Sequence, residues 1–257
     1  MTIEQGNLVY IDYIGKVKET GEVFDTTIEE EAKKANIYRS DQEWEPMLVA
    51  VGESWVVKGL DKALVGKEKG QEFEVEVAPS EGFGERDPKK IVLYTKRKLL
   101  EANIKDELRP GMIVNVDGLP AVVRVAGGGR ALLDFNPPLA GKTLIYKVFI
   151  RSICSAFDEK VRALIKRRSR KLAEKKDLFR YREKKRHLVV KLAESDMLLQ
   201  NIQLIKRGIA NDIFKFLPEV LKMQFVEELE NPTVKEEARS KPGIEPPQPS
   251  GGQGGKE

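Results

Sequence analysis

The alternation of apolar and polar residues predicts a β-rich N-terminal part. Residues 71–77 (Gln-Glu-Phe-Glu-Val-Glu-Val) alternate strictly, which places their three apolar side chains on one face of a half-buried strand. Residues 8–14 form another β-rich run, and the turn at residues 19–22 joins it to a further β segment. The stretch 28–45 is rich in Glu, Lys and Ala, and its pattern leaves open a short surface helix or an enlarged loop.

Residues 89–136 have a different pattern, in which short β segments are separated by turns. Asp117-Gly118 is typical of a tight turn between two strands, and residues 98–103 form a short helical segment. The pattern therefore predicts a small β-rich domain, inserted between Pro88 and the pair Pro137-Pro138. The strand pattern of the first part resumes at residues 142–153.

The C-terminal part changes to helical periodicity. Apolar residues recur at helical spacing over residues 157–172 and again over residues 202–217. Between them, residues 188–192 and 197–199 are expected to form a hairpin, and a final strand follows the second helix. The prediction is an αββαβ domain over residues 154–230.

The fold class predicted for the whole chain is a multidomain α+β protein. One domain comprises residues 1–88 and 137–153, and the β-rich insert comprises residues 89–136. The C-terminal domain covers residues 154–230. Residues 231–257 are dominated by Pro, Gly, Glu and Lys, which predicts a disordered tail because such a segment buries too little apolar surface to fold.

Composition excludes several kinds of chemistry. The 257 residues include one histidine, His187, and one cysteine, Cys154. An internal disulfide, a CxxC redox pair, a cysteine-ligated zinc site and a multi-histidine metal site are therefore ruled out for this sequence. We expect His187 to be a structural or surface residue and Cys154 a small packed residue. An enzyme with this inventory is expected to use neither nucleophilic, metal-assisted nor imidazole chemistry.

The N-terminal segment shows no pattern of a signal peptide, and the apolar runs are too short to span a bilayer. We therefore expect a cytoplasmic protein with no membrane partner. High Lys and Glu content with few Cys and His is also typical of heat-adapted proteins.

Three motifs carry a family resemblance by their order and spacing. The first comprises Tyr13, Gly15, Gly21, Phe24 and Asp25, the second is Val56-Val57-Lys58-Gly59-Leu60, and the third is Gly82-Phe83-Gly84. Together they resemble the FKBP-type peptidyl-prolyl cis-trans isomerases, in particular the SlyD-like and long archaeal members that carry an insert in the flap. The resemblance covers roughly residues 6–153, including the segment DFNPPLAGK at residues 134–142, where the insert ends.

The resemblance implies an apolar cup that binds the proline of a substrate peptide. Leu60 would form its floor, the backbone N–H of Val57 would hold a peptide carbonyl, and Asp25 would accept a hydrogen bond from Tyr13 and face the twisting carbonyl. The residues implied as walls are Tyr13, Phe24, Met47, Val56, Val57, Phe83 and Tyr146. Phe83, Met47 and Leu60 depart from the residues that many eukaryotic members have there.

The reaction suits this inventory of side chains. Rotation about an X–Pro bond crosses a barrier of about 18–20 kcal/mol because it breaks amide resonance. The twisted carbonyl carries less negative charge than the planar amide, so a dry apolar cup favours it without a covalent intermediate, a cofactor or a metal. The alternative for the wall residues is ordinary β-sheet core, and the alternative for Asp25 is a turn or cap residue.

The resemblance also implies that the insert is a chaperone module, which grips unfolded chains. Its candidate contact residues are Ile91, Leu93, Tyr94, Leu99, Leu100, Ile104 and Met112. The alternative for each residue is the small core of the insert itself. Only an excess of exposed apolar side chains would favour gripping.

Residues 160–186 form the strongest electrostatic feature of the chain. They contain fourteen Lys or Arg against three acids, a local charge of +11, whereas the whole chain carries +4. One hypothesis is contact with the phosphates of ribosomal or other RNA, with Phe179 and Tyr181 stacking on bases. The alternative is a solvated helix face and loop.

The function implied by the resemblance is peptidyl-prolyl isomerisation combined with folding assistance. The expected partners are unfolded or proline-containing polypeptides, and the C-terminal domain suggests a homodimer. Two rival hypotheses are a non-catalytic holdase or peptide-binding protein, and a ribosome- or RNA-associated factor that uses residues 160–186.

Overall fold

A computed structural model describes residues 1–102, 104 and 107–229 of the chain. The predicted tail at residues 231–257, and Asn103 of the predicted helix, lie outside the described residues. The strands, in chain order, are β1 (Leu8–Val17), β2 (Val23–Thr26), β3 (Met47–Ala50), β4 (Glu72–Val77), β5 (Ile91–Thr95), β6 (Ile113–Val116), β7 (Leu119–Gly127), β8 (Arg130–Asp134), β9 (Leu144–Cys154), β10 (Phe179–Arg182), β11 (His187–Leu192) and β12 (Lys222–Glu227). The α-helices are α1 (Glu29–Lys34), α2 (Lys58–Leu64), α3 (Lys96–Glu101), α4 (Phe157–Arg168), α5 (Arg170–Ala173), α6 (Glu194–Met197) and α7 (Ile202–Phe216).

The chain divides into two compact units. The first comprises Met1–Ala163 and contains two separate β-sheets, and the second begins at Leu164. Both sheets of the first unit are antiparallel and are accompanied by a few helices, as expected for the α+β class. The division into an isomerase domain, an insert at residues 89–136 and a C-terminal domain from residue 154 stays a prediction.

The larger sheet of the first unit has the strand order β2-β1-β9-β4, and β3 also pairs with β1. Strand β9 is central and alternates buried and half-buried residues over its first seven positions, because one of its faces covers the core. Helix α2 contributes the buried side chains of Leu60 and Leu64 to the same core, which also contains Val77 of the alternating strand β4.

The second sheet of this unit has the order β5-β8-β7-β6 and its own small core. Strands β6 and β7 are joined by Asp117-Gly118, as the sequence predicted, and both residues have positive φ angles of 52° and 85°. A two-residue loop of this kind matches the right-handed twist of the strands it connects. The core of this sheet is formed by Val116, Ala121, Val123, Ala131 and Leu133.

The end of β8 is tied to the segment through which the chain enters the second sheet. Asp134 accepts hydrogen bonds from the guanidinium of Arg124 at 2.8 and 2.9 Å, and it also pairs with Arg86. Its other carboxylate oxygen accepts from the backbone and side-chain nitrogens of Asn136. Asn136 in turn exchanges two hydrogen bonds of 2.9 Å with the backbone of Asp87.

The sheet of the second unit has the order β10-β11-β12 and differs from the sequence prediction. The predicted hairpin of residues 188–192 and 197–199 is wrong: β11 pairs in antiparallel fashion with the preceding strand β10, and in parallel with β12. Residues 194–197 form the short helix α6. Asp196 is buried there, accepts a hydrogen bond from the N–H of Ala193 and pairs with Lys175, so the segment is anchored as a helical turn.

Two further segments are shorter than their patterns indicated. For residues 28–45 the pattern left a short helix or a loop as alternatives. Only α1 is helical there, and it has three acidic residues in its first turn and two lysines in its last. The first C-terminal helical pattern is divided into α4 and α5, which are separated at Ser169. Among the described residues, no helix has the length and apolar character needed to cross a membrane.

Replacement of Asp134 tests the role of its carboxylate. Because Asp134→Ala would leave two arginines and Asn136 without their acceptor, we expect the free energy of unfolding to fall by about 2–4 kcal/mol in urea titrations. The control is Glu101→Ala, which breaks an exposed pair with Arg97 and should cost less than about 0.5 kcal/mol. Equal effects of the two variants would contradict the prediction.

The same carboxylate predicts a pH dependence of stability. Burial opposes its ionisation, but the hydrogen bonds from Asn136 and Arg124 and the charge of Arg86 outweigh burial and lower the pKa of Asp134 to about 2. A carboxylate with a lowered pKa stabilises the folded state above its unfolded-state pKa, and this contribution is lost as the pH falls from about 4 towards about 2. Asp134→Ala should lack this part of the acid dependence.

Candidate active site

Strand β1 is fixed against β2 by side chains as well as by the backbone. Thr26 Oγ1 donates to the carbonyl of Tyr13 at 2.7 Å, and the N–H of Tyr13 donates to Thr27 Oγ1 at 3.0 Å. The hydroxyl of Thr27 also donates to buried Asp12 at 2.7 Å. These bonds set the register in which Gly15 pairs with Asp25.

Asp25 and Tyr13 form the polar part of the site. The Tyr13 hydroxyl donates to Asp25 Oδ2 at 2.6 Å, as the family resemblance implied. Asp25 lies within β2, so the alternative that it is a turn or cap residue is wrong. Burial, together with this hydrogen bond and the charge of Asp25, raises the pKa of Tyr13 far above its usual range. Burial, and then the same charge, also raises the pKa of Tyr146. Both phenols are therefore protonated at neutral pH.

Four aromatic rings meet beside this pair. The rings of Tyr13 and Tyr146 are 5.9 Å apart, those of Phe24 and Tyr146 are 5.8 Å apart, and those of Phe24 and Phe83 are 6.3 Å apart, all edge to face. Gly15 makes this approach feasible because a Cβ there would lie 2.8 Å from the ring of Phe24 and 3.1 Å from that of Tyr146. Edge-to-face contacts stabilise such a cluster beyond its buried area.

Helix α2 and the two residues before it contribute further apolar side chains to the core that holds two of these rings. Leu60 is fully buried in the core that contains Tyr13 and Tyr146, and Val56 and Val57 are half-buried against that core. No hydrogen bond among the described residues uses the N–H of Val57, which immediately precedes α2. That N–H is the donor that the resemblance assigned to a substrate carbonyl.

The segment before α2 is held by a buried carboxylate. Asp61 accepts hydrogen bonds from the N–H groups of Gly52 and Ser54 at 2.9 and 3.1 Å. This keeps the turn after β3 close to the helix and fixes the chain that leads to Val56 and Val57. Asp61 was not among the residues singled out from sequence.

Two of the predicted wall residues are exposed. Phe83 has 42% of its surface accessible although its ring contacts Phe24, and Met47 is 38% accessible. Met47 lies at the beginning of β3 opposite Ile11. The contacts described above therefore bring eight of the nine predicted site residues together. Met47 is the exception, because the only contact described for it is the strand pairing with Ile11.

A cavity of about 540 Å³ adjoins the outer side of the aromatic cluster. It is bordered by Phe24 and Phe83, and by the segment that follows the second sheet, Pro137-Pro138-Leu139. Leu139 is also packed against the core that includes Tyr13 and Leu60. The two prolines were predicted only as a domain boundary, and Leu139 was not predicted as a site residue. The signal available in the sequence was an apolar residue directly after the two prolines.

The segment with Leu139 is tied to the segment with Phe83 by one backbone hydrogen bond. The N–H of Gly141 donates to the carbonyl of Gly84 at 2.8 Å. The candidate site thus combines a cluster of apolar and aromatic side chains, the exposed ring of Phe83, one hydrogen-bonded Tyr–Asp pair and the N–H of Val57, which no hydrogen bond among the described residues uses.

Comparison with known proteins identifies the family. A model described as FKBP-type peptidyl-prolyl cis-trans isomerase matches residues 1–100, and one described as FKBP26_C-terminal matches residues 157–230. The chain is 36% identical over 157 residues to the short-type peptidyl-prolyl cis-trans isomerase of Methanocaldococcus jannaschii, covering 61% of this chain and 98% of that protein.

Two bacterial relatives agree with this assignment. The SlyD protein of Treponema pallidum is 33% identical over 46% of this chain and 68% of its own length. The FKBP-type 16 kDa isomerase of Escherichia coli is 27% identical over 44% of this chain and 77% of its own length. The chain belongs to the FKBP-type peptidyl-prolyl cis-trans isomerases. Its C-terminal region, residues 157–230, matches a separate family model.

The buried phenol of Tyr13 can be tested by titration. Tyr13→Phe should leave unchanged the number of tyrosines that ionise between about pH 8 and about pH 11 in the folded protein, because Tyr13 stays protonated there. Ultraviolet difference absorbance of tyrosinate measures this number. In urea the variant should ionise one phenol fewer than the wild type, which has six tyrosines. A smaller amplitude for the folded variant would contradict the burial of this hydroxyl.

Proposed function

We propose that the protein isomerises X–Pro bonds in the cup formed by the aromatic cluster, Leu60 and the Val56-Val57 segment. The hydrogen bond between Tyr13 and Asp25, directly beside the four aromatic rings, is the observation that carries this proposal. It supports the role that the family resemblance implies for Asp25, because the carboxylate oxygen is held at the edge of an apolar surface.

The cup lowers the barrier by favouring the twisted amide over the planar one. A planar amide oxygen bears more negative charge than a twisted one, so both the apolar walls and the nearby carboxylate of Asp25 disfavour the planar form. The side chain of Tyr13 orients that carboxylate. The N–H of Val57 binds a carbonyl of the substrate, which holds one side of the bond while the other rotates.

Isomerase assays on a proline-containing peptide test this proposal. The wild type should accelerate cis-trans relaxation of an Ala-Leu-Pro-Phe peptide, and Asp25→Ala or Phe83→Ala should lower kcat/KM by about tenfold or more. Asp41→Ala, which removes an exposed loop carboxylate, is the matched control and should keep wild-type activity. No acceleration by the wild type would favour the rival hypothesis of a non-catalytic holdase.

We also propose that the second sheet of the first unit binds unfolded chains. Of the seven residues predicted for this role, Leu93, Leu100 and Met112 are exposed, with 51%, 52% and 36% of their surface accessible. Tyr94, Leu99 and Ile104 instead pack against the sheet's own core, as the alternative held, and Ile91 is half-buried. Four exposed apolar residues of this sheet were not predicted: Val92, Ile113, Leu119 and Val125.

The exposed residues are organised by strand register. Leu93 pairs with Leu132, which pairs with Val125, so the three side chains form an apolar row across β5, β8 and β7. Ile113 of β6 is 72% exposed. Such a density of exposed apolar residues on a small sheet supports binding of apolar chain segments.

A second feature of this sheet is a cavity of about 590 Å³ beside α3, bordered by Leu99, Leu100, Ile104 and Leu108. It is a partly open cleft of mixed polar and apolar character next to the exposed surface, and Lys96, Glu107 and Arg130 also border it. Because both belong to the same unit as the cup, a client held there would have a raised effective concentration at the cup.

Aggregation assays separate this activity from isomerisation. The double variant Leu93→Ser with Ile113→Ser should lose most of the ability to suppress aggregation of a diluted, urea-unfolded client protein, measured by light scattering. Its activity on the tetrapeptide should stay at the wild-type level. Leu229→Ser, which removes a 70% exposed leucine of the second unit, is the matched control. Equal loss in the control would contradict a specific role for the sheet.

The cations of residues 160–186 are partly engaged within the second unit. Arg168 forms two 2.7 Å bonds with Asp212, which Arg167 also contacts. Arg170 pairs with Glu174, and Lys175 pairs with Asp196. These contacts support the alternative of a structural role for much of the segment, and RNA contact through the whole of it is the weaker proposal.

We also propose a homodimer through the C-terminal region. It is supported by the exposed apolar residues of that region, Leu198, Leu204, Phe214 and Leu221.

A further inference from the structure

One end of the three-stranded sheet of the second unit carries a row of basic side chains. Arg182 of β10 pairs with His187 of β11, which pairs with Lys222 of β12. Residues paired directly across neighbouring strands extend from the same face of a sheet, with Cβ atoms about 4.5–5.5 Å apart. The row therefore places an imidazole between a guanidinium and an ammonium group.

His187 is buried although both of its flanking cations are exposed. It retains 8% of its accessible surface, and its Nε2 atom has no hydrogen-bond partner among the described residues. Burial lowers the pKa of His187, and the positive charges of Lys222, Arg182 and Lys185 lower it further. A buried polar atom without a partner costs free energy, and a bound ligand that pairs with Nε2 would remove this cost.

The three cations around the ring also lack an anion. Within the described part of the chain, Arg182, Lys185 and Lys222 form no ion pair, in contrast to Arg168 and Lys175 of the same unit. Residues 179–192 contain six Lys or Arg and a single acid, Glu183. Like charges gathered without a counter-charge attract anions from solution.

The backbone of this cluster is fixed by neighbouring contacts. Arg186 adopts a left-handed conformation with φ of 48°, and its carbonyl accepts from the N–H groups of Leu221 and Lys222 at 2.8 and 3.2 Å. Its guanidinium donates to the carbonyls of Pro218 and Glu219. The turn between β10 and β11 is thereby tied to the beginning of β12. These backbone contacts fix the segments that carry the three cations before any ligand binds.

We propose that Arg182, Lys185, His187 and Lys222 form a binding site for a phosphate group. These four residues are named the His187 cluster. Arg182 provides a planar fork for two phosphate oxygens, and the lysines provide point charges. A protonated His187 would donate a hydrogen bond from Nε2. The phosphate could belong to a single-stranded nucleic acid or to a free polyphosphate, and both sources present the same oxygens to the cluster.

The surrounding face of the sheet extends the positive surface in one direction. Arg180 lies two residues before Arg182 and extends from the same face, about 7 Å along the strand. Its register partners, Val189 and Gln224, carry no charge. Phe179 and Tyr181 alternate onto the opposite face, so they do not stack on bases bound at this surface, contrary to the hypothesis from sequence.

The single histidine provides a direct probe in the full-length chain. Its imidazole resonance can be followed by NMR while pyrophosphate, or a short oligouridylate, is added at low salt. We expect the resonance to shift saturably and its titration midpoint to rise, because a bound phosphate favours the protonated ring. Absence of a saturable shift with both probes would overturn the proposal, and this measurement requires no variant.

Variants then separate a defined site from diffuse attraction. Arg182→Gln and Lys222→Gln should each weaken binding by about tenfold, as expected for the loss of one charge-assisted hydrogen bond. Arg207→Gln, which removes an exposed charge of α7, should change binding by less than about twofold. Equal weakening by Arg182→Gln and Arg207→Gln would overturn the site. Circular dichroism verifies that each variant is folded.

The two probes distinguish the sources of phosphate. Tighter binding of oligouridylate, with a slope of log affinity against log salt that each variant of the cluster reduces by about 0.7, supports a nucleic-acid partner. Binding of pyrophosphate with no gain for the oligonucleotide supports a free polyphosphate. The isomerase assay is independent of these measurements because the cluster and the cup belong to different units.

Discussion

The candidate active site depends on the way β1 is held between its neighbours. This strand pairs with β2, β3 and β9, so three segments far apart in sequence are aligned on one backbone. Thr26 of β2 and the adjacent Thr27 fix the register, and Gly15 leaves the space that the rings of Phe24 and Tyr146 fill. A side chain at this position would separate the rings. The geometry of the cup therefore follows from a missing side chain as much as from the aromatic ones.

Buried carboxylates serve the fold, whereas the carboxylate of the cup is exposed. Asp12 accepts from Thr27 and Arg151, Asp61 holds the turn before α2, and Asp134 ties β8 to the entry of the second sheet. Each has several donors, as burial of a charge requires. Asp25 differs because it lies at the surface and is oriented by Tyr13. Its remaining acceptor capacity is consequently available to face a substrate.

Two sheets of this protein leave one face uncovered, and the two faces differ in chemistry. The sheet of residues 91–134 exposes apolar side chains such as Leu93 and Ile113, which suit an unfolded polypeptide. The sheet of the second unit exposes Arg180, Arg182 and Lys222, which suit an anion. An uncovered face costs stability if apolar and attracts counterions if charged. The basic excess noted in the sequence is thus divided between internal ion pairs and one open sheet face.

The sequence by itself determined the elements with strong local patterns, and its family resemblance supplied the candidate residues of the cup. Strict alternation identified β4, Asp117-Gly118 identified a two-residue turn, and the spaced motifs identified Tyr13, Asp25 and Leu60. It could not determine the partner of β11, because the residues of a short strand do not specify which segment pairs with it. Strand β10, which is that partner, was therefore not predicted. The packing of Leu139, and the Nε2 atom of His187 that has no hydrogen-bond partner among the described residues, likewise became apparent only in three dimensions. Local pattern fixes periodicity and turn type, but pairing, burial and the absence of a partner depend on residues distant in the chain, which only the tertiary structure brings together.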